Sequence, residues 1–64
     1  MSIADKFKEF RESRGMSQLD VAIQTKTSPA MISKIELGQR VPSVVTAHEI
    51  VKALGFKLDD LFTE

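Results

Sequence analysis

The sequence SPAMISKIELG at residues 28–38 contains start and stop signals for one short helix. Ser28 can accept hydrogen bonds from the free N–H groups of a first helical turn, and Pro29 suits the first helical position. Gly38 can adopt the left-handed backbone conformation that commonly ends a helix. These signals together predict a helix over about residues 28–37.

A period of 3.6 residues gives this helix two different sides. The side expected to face the protein core carries Ile32, Ile35 and Glu36. The opposite side carries small or apolar residues and a single lysine: Ala30, Ser33, Lys34 and Leu37, with Met31 on the flank. A side meant only for water usually carries several charges, so this one predicts close approach to another surface.

Length and composition predict one soluble globular domain, residues 1–64, because 42% of the residues are hydrophobic and 28% are charged. The absence of cysteine excludes disulfides and thiolate chemistry. The N-terminus lacks a signal-peptide pattern, and no apolar run approaches the roughly 18 residues of a membrane span. We therefore expect a cytoplasmic protein with no membrane partner.

Charge is unevenly distributed along the chain, although nine basic residues balance nine acidic ones. Residues 26–40 carry three basic side chains and one acidic one, whereas residues 49–64 carry four acidic and two basic ones. The basic segment includes the helix at residues 28–37, which predicts a modest basic face there.

An amphipathic helix is predicted over about residues 4–14, followed by Gly15. Its apolar residues have helical spacing: they are Ile3, Phe7 and Phe10. Arg11 shares this apolar side, and a buried guanidinium needs a partner. Glu36, on the inner side of the helix at residues 28–37, is the natural candidate. The alternative is that both charges are solvated at the rim.

A second helix is predicted from the sequence SQLD at residues 17–20, which has the capping-box form. Its inward residues are predicted to be Val21 and Ala22. Gln18 is expected on the exposed first turn, and the helix is expected to end near Gln24, before a three-residue turn at residues 25–27. Two short helices joined this tightly predict a helix-turn-helix unit.

Two further helices are predicted, one capped by Ser43, reaching about Leu54 and ended by Gly55, and a short final one within residues 56–62. The inward stripe of the fourth helix is predicted to contain Ala47, Ile50, Val51 and Leu54, with Val44, Val45 or both as additions. The final segment is rich in large apolar residues: Phe56, Leu58, Leu61 and Phe62.

The order and spacing of these elements resemble the helix-turn-helix family of phage repressor and Cro proteins. The matching positions are Phe7, Phe10, Arg11, residues 15–18, Ala22, residues 32–36, Gly38, residues 42–43, residues 53–55 and residues 58–62. The resemblance implies a compact all-α bundle of five helices, like the DNA-binding domain of lambda repressor. It further implies a transcriptional regulator, most simply a repressor, that binds operator DNA as a homodimer reading a two-fold-related site.

The resemblance also implies particular DNA-binding positions. Gln18 corresponds to a phosphate contact at the start of the second helix, and Gln39 and Arg40 lie in a loop that meets phosphates again. Five positions face base edges or the adjoining backbone: Ser28, Pro29, Ala30, Ser33 and Lys34. Arg11 and Glu36 correspond to a pair that ties the first helix to the third.

The chemistry of these side chains suits a helix in the major groove. Lys34 can donate to the O6 and N7 acceptors of guanine, and Ala30 or Met31 can touch a thymine methyl. Ser33 can bond to a base edge or a phosphate. The alternatives are that Lys34 is simply solvated and that Met31 fills the core.

Four residues differ from what is usual in the family. Pro29 and Ala30 stand where many relatives carry Gln, Ser or Arg, which makes bidentate readout of bases sparse. Lys26 stands where the turn often has glycine, so a left-handed backbone there would cost on the order of 1 kcal/mol. Leu37 is apolar where a polar residue is common, which suggests a contact with something other than DNA. The candidate dimer interface is Phe56, Leu58 and Phe62, and the alternative is that these residues complete the core of one copy.

Two other classes of function are weighed against the regulator. An antitoxin-type interaction module would bind a partner protein and regulate its own operon, and a partner such as a toxin or RNA polymerase would suit the neutral net charge. An enzyme is disfavoured because His48 is the single histidine and no glycine-rich phosphate loop or metal-ligand cluster is present. We therefore predict no catalytic residue, cofactor or metal, and a surface position for His48.

Overall fold

The computed structural model describes residues 2–62, within which the chain forms four α-helices, one 3-10 helix and no β-strand. The α-helices are α1 (Ile3–Ser13), α2 (Gln18–Thr25), α3 (Pro29–Glu36) and α4 (Val44–Ala53), and the 3-10 helix is Leu58–Phe62. The all-α prediction is confirmed, and each α-helix begins and ends within two residues of its predicted bounds. Both ends of the predicted domain, residues 1 and 64, lie outside the described residues.

The prediction of five α-helices is wrong at the last element. Gly55 ends α4 with a φ of 81°, and among the described residues after it only Leu58–Phe62 are helical. The backbone N–H of Lys57 donates to Asp60 Oδ2 at 2.8 Å, which closes a local turn at the start of this segment. Because an α-helical nucleus is costly to form, such a short segment adopts the tighter 3-10 form instead.

A serine side chain caps the start of every α-helix by accepting a backbone N–H at 3.0–3.2 Å: the serines are Ser2, Ser17, Ser28 and Ser43. At α2 the predicted capping box is confirmed, because the N–H of Ser17 also donates to Asp20 at 2.9 Å. This backbone hydrogen bond, with a second from the Ser17 side chain, lowers the pKa of Asp20 below its ordinary value. A second box at Ser2 and Asp5 makes α1 start one residue earlier than predicted.

The core joins the inner sides of all five helical segments. Most of its buried residues were predicted to face inward: Phe7, Val21, Ala22, Ile32, Ile35, Ala47, Ile50, Val51 and Leu54. Leu61 is also buried, although the sequence predicted only that it belongs to an apolar final segment. Ile3, Val44 and Val45 are instead exposed, so their predicted inward placement is wrong. Each of the three stands in the first turn of its helix, at the edge of the packed core.

The turn between α2 and α3 contains a strained residue and directly follows a buried one. Lys26 has a left-handed backbone, with φ 56° and ψ 36°, as the comparison with glycine-containing turns suggested. The preceding residue, Thr25, extends α2 one residue past Gln24 and is buried, which the sequence reading missed. Its hydroxyl donates to the carbonyl of Val21 at 2.7 Å and lies 2.9 Å from the Thr27 hydroxyl.

The segment after α4 is held against α1 by an aromatic stack. The rings of Phe10 and Phe56 are nearly parallel, with centroids 4.0 Å apart and an interplanar angle of 12°. Arg14 lies over the same Phe56 ring at 4.8 Å, and its Nε donates to the Leu54 carbonyl at 2.9 Å. This role of Arg14 was not predicted, although Arg14 follows Phe10 by four residues and caps the C-terminal end of the same helix.

The three candidate interface residues therefore have different surroundings. Phe56 and Leu58 pack against the core of their own chain, as the alternative reading held, whereas Phe62 is 68% exposed. A dimer interface at these positions stays a prediction.

Candidate nucleic-acid interface

The outer side of α3 is open to solvent. Ser28, Pro29, Ala30 and Lys34 are exposed, while Met31 and Ser33 are partly buried. Met31 also packs against the core, so the core-filling alternative describes at least part of its side chain. Ala30 and Lys34 are thus exposed on the outer side as predicted, whereas Ser33, predicted on the same side, is partly buried.

The loop after α3 is tied to the end of that helix. The backbone N–H groups of Gln39 and Arg40 both donate to the carbonyl of Lys34, at 2.9 and 3.3 Å. The side chains of Gln39 and Arg40 are exposed. Lys34 and Arg40 are therefore two exposed basic residues near the C-terminal end of α3, and a basic face there stays a prediction.

A buried ion pair connects α1 to the inner side of α3. Arg11 Nε lies 2.7 Å from Glu36 Oε2, and Arg11 Nη2 donates to Glu36 Oε1 at 3.0 Å. The two side chains are only 13% and 4% exposed, so the pairing is confirmed and the alternative of two solvated charges is wrong. The hydrogen bonds to Glu36 raise the pKa of Arg11 above its ordinary value.

Gln18 is more constrained than its predicted place on an exposed turn suggests. It is partly buried, and its Nε2 donates to Glu36 Oε1 at 3.2 Å. The side chain of the first residue of α2 is therefore hydrogen-bonded to the side chain of the last residue of α3. The sequence pattern predicts Gln18 and Glu36 on separate helices, and it gives no indication of this hydrogen bond.

Two kinds of feature, a metal-binding cluster and a membrane-spanning helix, are absent from the part of the chain that the structure describes. Residues 2–62 contain no group of three or more His, Cys, Asp or Glu side chains arranged to hold a metal ion. None of the helices between residues 2 and 62 has the length and apolarity that a membrane span requires. His48 is exposed on α4, as predicted.

Two short helices joined by a tight turn, the second with an exposed and sparsely charged side, define a helix-turn-helix protein. The chain belongs to the Cro/C1-type helix-turn-helix family, because the HTH_3 family model, described as Helix-turn-helix, matches residues 7–61. The expected relationship to phage repressors is thereby confirmed. Proteins of this family bind DNA and regulate transcription.

Individual relatives agree with this assignment. The uncharacterized HTH-type transcriptional regulator y4dJ of Sinorhizobium fredii is 31% identical over 61 residues, which are 95% of this chain and 79% of that protein. The restriction-modification controller protein C.AhdI of Aeromonas hydrophila is 27% identical, with a TM-score of 0.90 over 94% of this chain and 91% of the other.

The P22 c2 repressor, solved in complex with a synthetic operator, has a TM-score of 0.88 over 95% of this chain and 92% of its own. At 20% identity, that likeness shows a shared fold alone. The share of a relative's length that this chain spans varies widely, from 32% to 92%.

Proposed function

We propose that this protein is a repressor of transcription that binds a two-fold-related operator as a homodimer, with α3 in the major groove. The observation that carries the proposal is the exposure of Ala30 and Lys34 on the side of α3 opposite its buried isoleucines. A helix fits the major groove, which is about 12 Å wide, only if its outer side chains let the backbone approach the bases.

Base reading is assigned mainly to Lys34. Its exposed ammonium group can donate to guanine O6 and N7, a contact worth about 1–3 kcal/mol of discrimination. Ala30 and the exposed part of Met31 supply apolar surface for a thymine methyl, and Ser33 supplies one hydroxyl. This readout is sparse, so a single copy discriminates between sequences weakly.

Phosphate contacts are assigned to residues on either side of α3. Arg40 and Gln39 would bind the backbone at its C-terminal end, Gln18 would bind it from α2, and Ser28 and Pro29 would lie against it at the N-terminal end. Such contacts fix the position of the protein on the duplex without reading sequence. They also release counterions, so binding should weaken steeply as the salt concentration rises.

A homodimer follows from the small number of contacts that one copy can make. Dimers with this geometry place their recognition helices roughly 34 Å apart, one turn of DNA. Phe62 is the most exposed of the candidate interface residues. The P22 c2 repressor, which has the same fold, has been solved in complex with an operator. Sedimentation equilibrium with and without operator DNA measures the stoichiometry, and a single copy on each site would contradict the dimer.

The function is tested by selecting bound sequences from a random duplex library and then measuring affinity between about 50 and 200 mM salt. Lys34→Ala should relax the preference at one or two base pairs and lower affinity for the selected site by about 1–3 kcal/mol. Arg40→Ala should weaken binding to every sequence and reduce the salt slope by about 1. Lys8→Ala, on the exposed surface of α1, is the matched control.

Equal effects of Lys34→Ala on selected and random DNA would reject its reading role. If this protein shows no salt-dependent binding to any duplex, the hypothesis that it is a repressor is rejected. If it instead forms a stable complex with a toxin or RNA polymerase, the alternative hypothesis of a protein-interaction module replaces the repressor hypothesis. Leu37, which is 67% exposed, would then be the first contact residue to test.

A further inference from the structure

We infer that Glu36 positions Gln18 for its contact with a DNA phosphate, so that the buried ion pair governs DNA binding as well as stability. The inference rests on the proposed function, since it assumes that Gln18 meets a phosphate. Glu36 itself faces the core and would not touch DNA. It is a positioning residue that acts through its hydrogen bond to Gln18.

The carboxylate of Glu36 is held in one orientation. Arg11 donates to both of its oxygens, through Nε to Oε2 at 2.7 Å and through Nη2 to Oε1 at 3.0 Å. A guanidinium that binds a carboxylate at two points fixes its plane as well as its position. With a side chain only 4% exposed, Glu36 also has little room to change rotamer.

This fixed carboxylate orients the amide of Gln18. Gln18 Nε2 carries two N–H groups, and one of them donates to Glu36 Oε1 at 3.2 Å. Because the amide group is planar, the direction of the second N–H is then set as well. A phosphate oxygen only accepts hydrogen bonds, so this second N–H is the group suited to bind it. A side chain held in advance loses less conformational entropy on binding.

The same guanidinium also fixes the backbone that leads into α2. Arg11 Nη1 donates to the carbonyl of Met16 at 2.8 Å, one residue before the serine that caps the helix. One arginine of α1 thus holds the entry to α2 and the last residue of α3. The phosphate contact from α2 and the base contacts from α3 are thereby kept in a constant spatial relationship.

The test is a double-mutant cycle on affinity for the selected DNA site. Gln18→Ala should lower affinity by about tenfold, the effect of losing one hydrogen bond to a charged group. Glu36→Gln keeps the shape of the side chain but turns an N–H donor towards either Arg11 or Gln18. It should lower affinity several-fold when Gln18 is present and have almost no further effect in a chain that carries Gln18→Ala.

Matched controls separate this effect from a general loss of structure. Gln24→Ala and Glu49→Gln make the same chemical changes at exposed positions on α2 and α4, and neither should alter affinity. An independent measurement is NMR of the Gln18 side-chain amide without DNA. This amide should be ordered in the unmodified protein and should become mobile in Glu36→Gln.

A second variant serves if Glu36→Gln does not fold. Arg11→Met combined with Glu36→Leu removes both charges while keeping apolar volume, an exchange that is often neutral for stability. It should fold, leave the Gln18 amide mobile and lower affinity only when Gln18 is present. If neither variant folds, the order of the Gln18 amide in the unmodified protein decides.

Several results would overturn the inference. They are a mobile Gln18 amide in the unmodified protein, an equal effect of Glu36→Gln with and without Gln18, or DNA binding that Gln18→Ala leaves unchanged. Each of these leaves the repressor function intact. A protein that binds no DNA at all would instead remove the proposed function, and this inference with it.

Discussion

The inner and outer sides of α3 carry different kinds of residue for different purposes. On the inner side Ile32 and Ile35 are almost completely buried, and Glu36 is buried against Arg11. On the outer side Ala30 and Lys34 are exposed. The charged residue inside has a partner within the protein, whereas the proposed partner of the charged residue outside is DNA. Changes inside should therefore have their largest effect on stability, and changes outside should have their largest effect on binding.

The largest effect is expected from Glu36→Ala on the inner side. Removing the carboxylate leaves the Arg11 guanidinium buried without its partner, which costs about 3–5 kcal/mol. A domain of this length has a total stability of only roughly 3–10 kcal/mol, so most of it should disappear. Thermal unfolding followed by circular dichroism measures the loss.

Glu9→Ala is the control for this change, because Glu9 is an exposed glutamate on α1. A melting temperature for Glu36→Ala close to that of the control would show that the buried pair adds little to stability.

The converse change is Ala30→Glu on the outer side. A negative charge in the first turn of α3 should stabilise the helix by about 0.3–1 kcal/mol, because it interacts favourably with the helix dipole. The same charge would face phosphates and should weaken DNA binding by about 1 kcal/mol or more. Affinity and melting temperature, measured on one preparation, should thus change in opposite senses.

His48→Glu adds the same charge on the exposed surface of α4 and serves as the control. If both variants weakened DNA binding equally, the effect would come from net charge and the outer side of α3 would have no special role.

Lys26→Gly, in the turn between α2 and α3, should increase the free energy of unfolding. The left-handed backbone of Lys26 is unfavourable for a residue with a side chain, and glycine should relieve about 1 kcal/mol of it. Gly15→Ala provides the opposite test, since Gly15 has a φ of 65° and open space around it. That variant should lose a similar amount, and denaturant unfolding compares the two. A loss of stability in Lys26→Gly would mean that the lysine side chain contributes more than its backbone costs.

The smallest effect concerns the capping box at the start of α2. Hydrogen bonds from Ser17 lower the pKa of Asp20, so the folded state binds this proton more weakly than the unfolded state does. The stability contributed by the carboxylate is therefore present above the ordinary aspartate pKa of about 3.9 and is lost as the pH falls through the folded value. Asp20→Asn should flatten the pH dependence of the melting temperature in the acid range, and an unchanged slope would contradict this.

Most of the fold could be predicted because its information is local. Serine caps, left-handed stops and 3.6-residue spacing act within one or two turns of chain, and they set the four α-helices and most of the buried core. The predictions that were wrong lie at helix ends. Ile3 has the right spacing for the core but is exposed in the first turn of α1, and the described part of the final segment forms a 3-10 helix instead of an α-helix.

The candidate site was predicted only in part, for a related reason. The Arg11–Glu36 pair was predictable because a charged residue on an apolar side requires a partner, and one candidate lay on another apolar side. The contacts of Gln18 and Arg14 were not predictable from the sequence. Each side chain donates a hydrogen bond to a group at least 18 residues away, and no sequence motif or helical spacing links the two residues. Which group each of these two side chains reaches depends on how the helices cross in the folded protein.

The sequence by itself determined which residues of α3 face inward and which face outward, because helical periodicity divides the two sides before any packing occurs. Only the tertiary structure decided that Glu36 accepts hydrogen bonds from both Arg11 and Gln18. Hydrogen bonds form over about 3 Å, and side chains from three helices come within that distance only after the core has brought the helices together.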